Sequence, residues 1–258
     1  MLPSPARDRL LQFGRETGEG PIPIIGNLRL ILRAMRLKHW IKNLVLFAPL
    51  VFAERLYDPV DSSRALVAFF LFCLLASAVY IINDIADRKA DRYHPEKARR
   101  PIASGDLALP AAVLAAGLLL IASLTGAWNL SPRFFLTVIL YLGLNLAYSF
   151  RLKKVVILDV MSISAGFLLR AIGGAVVISV EISPWLILCT ILLSLFLGFS
   201  KRRQELTGLS DQARQHRDIL SEYSTQFLDQ MISIVTAATL ITYSFYTLSP
   251  EVQAKLGT

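Results

Sequence analysis

Seven stretches of this chain are apolar for long enough to cross a bilayer, and that repetition constrains the fold before any single residue is considered. They lie at 28–53, 65–82, 107–128, 133–150, 155–180, 184–200 and 226–248. Each is near the roughly 20 residues a helix needs to span hydrocarbon. The connections at 54–64, 129–132 and 181–183 are short, which makes neighbouring helices antiparallel. The expected architecture is an all-α integral membrane protein, an antiparallel bundle of transmembrane helices. The 54% hydrophobic content is too high for a soluble domain of this size. In the first stretch, Arg29 to Lys42 is basic and only Leu44 to Ala53 is apolar without interruption, so its front half is expected to lie in the interface.

A net charge of +8 raises the question of a nucleic-acid partner, and the placement of the charges excludes it. Of the 27 Lys and Arg, all but Arg55, Arg64, Arg133, Arg170 and Lys255 fall in four segments: up to Lys42, 84–106, 151–154 and 201–218. With alternating spans, these four share one side of the membrane. The positive-inside rule makes that side, and the N-terminus, cytoplasmic, so a plasma (inner) membrane protein with a cytoplasmic catalytic face is expected. Basic groups there also suit anionic membrane lipids. The first 23 residues are polar and broken by Gly and Pro, with no apolar core of a cleavable signal peptide, so the first span is expected to be retained. Residues 1–27 read as a flexible cytoplasmic tail. Cys73 and Cys189 sit within apolar runs as small hydrophobes, with neither a disulfide nor a zinc site expected.

The charge-free run Ala65 to Ile82 is followed at once by Asn83-Asp84-Ile85-Ala86-Asp87-Arg88-Lys89-Ala90-Asp91. At about 100° per residue, Asp84, Asp87 and Asp91 fall within roughly 60° of one another on a continuous helix. Three carboxylates on one face repel and lose solvation, so a cation is expected to compensate them. Mg²⁺ takes one or two carboxylates plus phosphate oxygens, which suggests a metal-diphosphate site. The bland alternative is a solvated helix end with Arg88, Lys89 and Arg92 as partners. The continuation Arg99-Arg100-Pro101-Ile102-Ala103-Ser104-Gly105 weighs against it, because a basic pair before a Pro-to-Gly turn is placed to fold over phosphate. In the fifth span, Asp159, Ser162, Gly166, Arg170 and Gly173 share about 80° of the helical wheel. Asp159 and Arg170 are about 16 Å apart along the axis and so need separate partners. His39, His94 and His216 show no ligand spacing.

The pattern NDxxDxxxD followed by RRPIASG on a second membrane helix resembles the first Asp-rich motif of the UbiA superfamily of intramembrane prenyltransferases. Within it, Met35 to Asn43 (MRLKHWIKN), Tyr148 to Lys154 (YSFRLKK) and Asp159 to Gly174 resemble the decaprenyl-phosphate phosphoribosyltransferase branch. The likeness runs over about residues 30–250. It implies a Mg²⁺-dependent transferase that moves 5-phosphoribose from phosphoribosyl diphosphate to a polyprenyl phosphate, for arabinan precursors of the cell envelope. Together with the residue readings above, it nominates Asp84, Asp87 and Asp91 as catalytic metal ligands. The nominated substrate contacts are Lys42, Asn83, Arg100, Asn145, Tyr148, Arg151, Lys153, Lys154, Asp159, Arg170, Lys201 and Arg202. Tyr80 is a further candidate for a sugar contact. Oligomeric state is left open.

Two departures from the superfamily pattern matter. Aromatic prenyltransferases carry a second Asp-rich motif after the sixth helix, where this chain has Ser200-Lys201-Arg202-Arg203-Gln204-Glu205. Cations there bind phosphate directly rather than through metal, which favours two separately phosphorylated substrates. The rival readings are prenyl transfer to an aromatic acceptor such as 4-hydroxybenzoate, which calls for that second acidic cluster, and an anionic-lipid transporter, which calls for ionisable residues deep in several spans. The superfamily generally has nine helices. Residues 28–258 are therefore expected to form the catalytic domain without the last two, with Pro250 to Thr258 as an outer loop.

Overall fold

The computed structural model describes residues 24–208, 223–249 and 252. The expected tail to residue 23, the loop 209–222 and the outer loop after Ser249, apart from Val252, lie outside the described residues. Within them run ten α-helices: α1 Ile24–Ala34, α2 Ala48–Phe52, α3 Pro59–Ala86, α4 Arg88–Asp91, α5 Pro101–Ser104, α6 Leu109–Leu130, α7 Pro132–Phe150, α8 Leu158–Val177, α9 Pro184–Gly208 and α10 Thr225–Leu248. Helices α3 and α6 to α10 are each long and apolar enough to cross a membrane. Bulky apolar side chains such as Leu118, Ile121, Leu140, Leu197 and Leu240 are more than half exposed. Such a surface would be a liability in water and suits contact with lipid, as in a multi-pass membrane protein.

Helix α3 is the centre of the bundle. Asp58 caps it by accepting hydrogen bonds from the backbone N–H groups of Val60 and Asp61, and Pro59 occupies the first turn, where no N–H is needed. Its Leu71, Phe72 and Leu75 pack into a core with Leu46, Leu50, Phe134, Val138, Tyr141 and Val177, drawn from four other elements. Helix α6 lies close against α3: the Ser123 hydroxyl donates to the carbonyl of Leu71, and Gly126 leaves room for the Leu71 side chain. Helices α9 and α10 pack around Val160, Phe199, Leu206 and Leu228, with α10 at the edge.

The expected first span, 28–53, is not one helix. Helix α1 stops at Ala34, Arg36 takes a left-handed backbone with φ 53°, and a 3₁₀ segment, Leu37–Phe47, leads into α2. This segment descends beside α3. Arg36 meets Asp84, Trp40 donates to Ser77, Asn43 donates to Cys73, and Phe47 stacks on Phe69. Eleven residues at about 2.0 Å rise cover about 22 Å, matching the fifteen-residue climb of α3 from Phe69 to Asp84 at about 1.5 Å per residue. A regular α-helix would have covered less depth and turned the cations differently. The observed path sends Arg36, His39 and Lys42 to the cavity between the helices and buries Asn43, whereas their basic composition had suggested the interface.

Gly174 permits this path, because a Cβ there would collide with the carbonyl oxygen of Leu46. Gly174→Ala is therefore expected to push the 3₁₀ segment off α8 and cost about 1–3 kcal/mol. A melting curve in detergent unchanged from wild type would contradict this packing.

Candidate active site

A cavity of about 420 Å³ opens where α3, the 3₁₀ segment, α7, α8 and α9 converge. Helix α3 contributes Tyr80, Asn83, Asp84 and, at its C-terminal cap, Asp87; α7 contributes Tyr141, Asn145, Tyr148 and Ser149; α9 contributes Lys201, Arg202 and Glu205. Eight Lys and Arg line it against three carboxylates. Low-dielectric walls concentrate that positive excess, which suits polyanionic ligands.

The acidic groups occupy the outer part. Asp84 is 2% exposed, and its Oδ1 accepts from Arg36 Nη2 and from Arg100 Nη1 at 3.1 Å. Arg100 Nη1 also donates to Asp91 Oδ2 at 2.6 Å, so this guanidinium bridges two carboxylates. Asp87 is more open and accepts from Lys153 Nζ at 3.1 and 3.3 Å. The Asn83 carbonyl oxygen accepts from the Ser149 hydroxyl, tying α3 to α7. A helix C-terminus is already negative, so carboxylates there need the cations that these neighbouring segments supply.

Asp84 and Asp91 converge on the same Arg100 nitrogen, while Asp87 turns to Lys153. Helix α3 ends at Ala86, Asp87 caps it with ψ 1°, and a separate four-residue helix carries Asp91. The wheel assumed a continuous helix. Asp91 is buried against Arg100 and does not line the cavity. Among the described residues, no three His, Cys, Asp or Glu side chains converge as a metal cage.

Deeper in the bundle, Arg170 is 6% exposed. Its Nε donates to Asn43 Oδ1 at 2.7 Å, Nη1 to the Gly166 carbonyl at 2.8 Å and Nη2 to the Tyr141 hydroxyl at 2.7 Å. The rings of Tyr141 and Phe167 flank its guanidinium at 4.8 and 5.3 Å.

Where the N-terminus of α8 meets the C-terminal part of α9, Asp159 is fully buried. It accepts from Arg202 Nε and from the Tyr223 hydroxyl, each at 2.6 Å. Burial and the adjacent Asp159 carboxylate push the Tyr223 hydroxyl pKa well above its ordinary range, so it remains a donor. The same oxygen accepts from the N–H of Ile157, whose φ of 70° is unusual for a β-branched residue. Arg202 further pairs with Glu205. Asp159 and Arg170 thus have separate partners, as their spacing requires.

Of the nominated residues, Lys42, Asn83, Asp84, Asp87, Arg100, Asn145, Tyr148, Lys153, Arg170, Lys201 and Arg202 line the one cavity. Asp91, Arg151, Lys154 and Asp159 do not. Arg151 and Lys154 are exposed, in keeping with the headgroup contact that is the default for such positions. Sequence reasoning passed over Arg36, His39, Lys97, Tyr141, Ser149, Phe167 and Glu205, which also line the cavity. Arg36 and His39 lie within the basic MRLKHWIKN run, whose charge read as interfacial. Nothing periodic marks Tyr141 or Ser149 apart from their packing neighbours.

The sequence matches the UbiA prenyltransferase family over residues 44–251. The decaprenyl-phosphate phosphoribosyltransferase of Mycolicibacterium smegmatis is 38% identical over 225 residues, 86% of this chain and 71% of that protein. Its namesake from Mycobacterium tuberculosis is 36% identical over 220 residues, 84% of this chain and 73% of that one. Among solved structures, a UbiA homolog from Archaeoglobus fulgidus bound to GPP and Mg²⁺ superposes with a TM-score of 0.71 at 19% identity, covering 87% of this chain and 81% of that one.

Proposed function

The chain belongs to the UbiA prenyltransferase family, and from that premise we propose that it transfers 5-phosphoribose from phosphoribosyl diphosphate to a polyprenyl phosphate, decaprenyl phosphate in the named relatives, releasing diphosphate. The observation that carries this reading is the lining of the cavity: eight cations surround only two neighbouring acidic side chains of α3 and Glu205 of α9. Two separately phosphorylated substrates need such an excess. A prenyl diphosphate held by metal on two acidic clusters does not, and the position of the second cluster is filled here by Lys201, Arg202 and Arg203.

The donor set fits a divalent ion. Asp84 and Asp87 line the cavity one turn apart with Asn83 beside them, and Mg²⁺ needs only one or two carboxylates when phosphate oxygens complete its shell. Bound there, the ion supplies charge neutralisation for the diphosphate leaving group. Arg36, Arg100 and Lys153, each now on a carboxylate, are within reach to exchange that contact for diphosphate oxygens. Tyr148 and Asn145 on α7 offer hydrogen bonds to the ribose hydroxyls. A phosphate oxygen of the lipid attacks carbon 1 of the ribose as the bond to diphosphate breaks. That nucleophile is already anionic, so no side chain has to act as a base. Rate enhancement then comes from alignment and fixed charge. The polyprenyl tail lies among lipid-facing helices, since it gains nothing from water. On the positive-inside argument, the cavity opens to the cytoplasm.

Purified protein given labelled phosphoribosyl diphosphate, polyprenyl phosphate and Mg²⁺ is expected to move label into lipid, and EDTA is expected to stop it. Transfer seen only from a prenyl diphosphate to 4-hydroxybenzoate would overturn the assignment in favour of aromatic prenylation.

A further inference from the structure

Most cations of the cavity have a carboxylate partner, Lys201 among them through Glu205. Arg36, Arg100 and Lys153 each contact a carboxylate of the acidic motif, and Arg202 is held by Asp159 and Glu205. Arg170 and Lys42 are different. Every hydrogen-bond partner of Arg170 is neutral: an amide, a carbonyl and a hydroxyl. A guanidinium has five N–H groups, so these three bonds leave two to offer a ligand. Lys42 makes no ion pair among the described residues, and the charges acting on it most strongly are further cations, Lys201, Arg170 and Arg36. A buried guanidinium that lines the same cavity as an ammonium, with no carboxylate partner for either among the described residues, is incomplete without an anion.

Arg170 also lies deeper than the acidic motif. Arg170 is bonded to Asn43, which is bonded to Cys73, and Cys73 lies eleven residues from Asp84 along α3, about 16 Å. Tyr80, edge-on to His39, lines the wall, and Tyr141 stands in the deeper layer on Arg170.

Resting on the transferase reading above, we propose that Lys42 and Arg170 form a second anion subsite, which binds a phosphate monoester directly, without metal. A metal ion is repelled there, whereas a dianionic phosphate balances both charges and accepts the two spare guanidinium donors. Two phosphate monoesters occur among the proposed substrates: the 5-phosphate of the sugar and the phosphate of the polyprenyl lipid.

The test uses the full chain in detergent with EDTA present, titrated by calorimetry with ribose 5-phosphate and, separately, with farnesyl phosphate. Wild type is expected to bind at least one of them, and whichever binds identifies the source of the phosphate. Lys42→Gln, on a side chain open to the cavity, is expected to weaken that binding about tenfold or more, as for loss of one charged hydrogen bond. Arg170→Gln is expected to do the same where it folds. No binding by wild type in EDTA, or binding unchanged in Lys42→Gln, overturns the subsite. Label transfer with Mg²⁺, measured on the same preparation, keeps the two readings apart: transfer without metal-free binding removes the subsite alone, and metal-free binding without transfer leaves the subsite standing and removes the reaction.

Discussion

Asp87→Asn is expected to lower turnover by about a hundredfold to a thousandfold while leaving the melting temperature close to that of wild type. Asp87 caps α3 at the cavity, its side chain is 41% exposed, and its ion pair is with a Lys153 that is also partly open. A pair of that kind contributes about 1 kcal/mol or less to stability, so fold and chemistry separate at this position. Asparagine keeps the shape and removes the charge that would hold a divalent ion against diphosphate. Asp84→Asn does not separate them as cleanly. Asp84 is 2% exposed and receives two guanidinium groups on one oxygen, so neutralising it strands Arg36 and leaves Arg100 only Asp91, as well as weakening the proposed metal site. The measurement is initial rate of label transfer at saturating Mg²⁺ together with a melting curve. Full activity in Asp87→Asn would put the metal elsewhere.

The second large effect concerns stability. Asp159→Ala is expected to destabilise the protein by about 3–5 kcal/mol, the usual result of breaking a buried ion pair from one side. Both oxygens of Asp159 are engaged, and Arg202, 2% exposed, would keep only Glu205 as its counter-charge. The Tyr223 hydroxyl would lose its acceptor just where it steadies the left-handed backbone of Ile157 at the start of α8. The network joins α8, α9 and the entry to α10, so its loss loosens three helices together. Asp159→Leu combined with Arg202→Met is expected to recover most of the loss, because removing both charges also removes the penalty of a stranded one. A single Asp159→Ala protein that melts with wild type would show that these contacts do not hold the bundle.

Much of this was legible from residue order. The apolar runs gave α3 and α6 to α10, because in hydrocarbon the chain has few ways to satisfy its own backbone. The NDxxDxxxD and RRPIASG stretches located the carboxylate end of α3 and the Arg100 that folds back on it. What the wheel could not show was which cation each carboxylate meets: Asp84 and Asp91 share Arg100, while Asp87, at the cap of α3, meets Lys153. Arg202 is a related case. As one cation in a basic run it gave no sign of the pairs it makes with Asp159 and Glu205.

The first stretch shows the division most clearly. Its composition placed it at the membrane, but nothing in its sequence indicated a 3₁₀ path that runs level with α3 from Asp84 to Phe69. That path depends on Gly174 of α8, well over a hundred residues away, whose missing side chain lets the backbone of Leu46 approach. The order of residues alone determined that the chain is a helical membrane bundle with its charge gathered at one end, since burial of apolar groups and backbone satisfaction are decided locally along the chain. Which charges face one another was decided only by the assembled bundle, because an ion pair depends on distances between separate helices, and packing sets those distances.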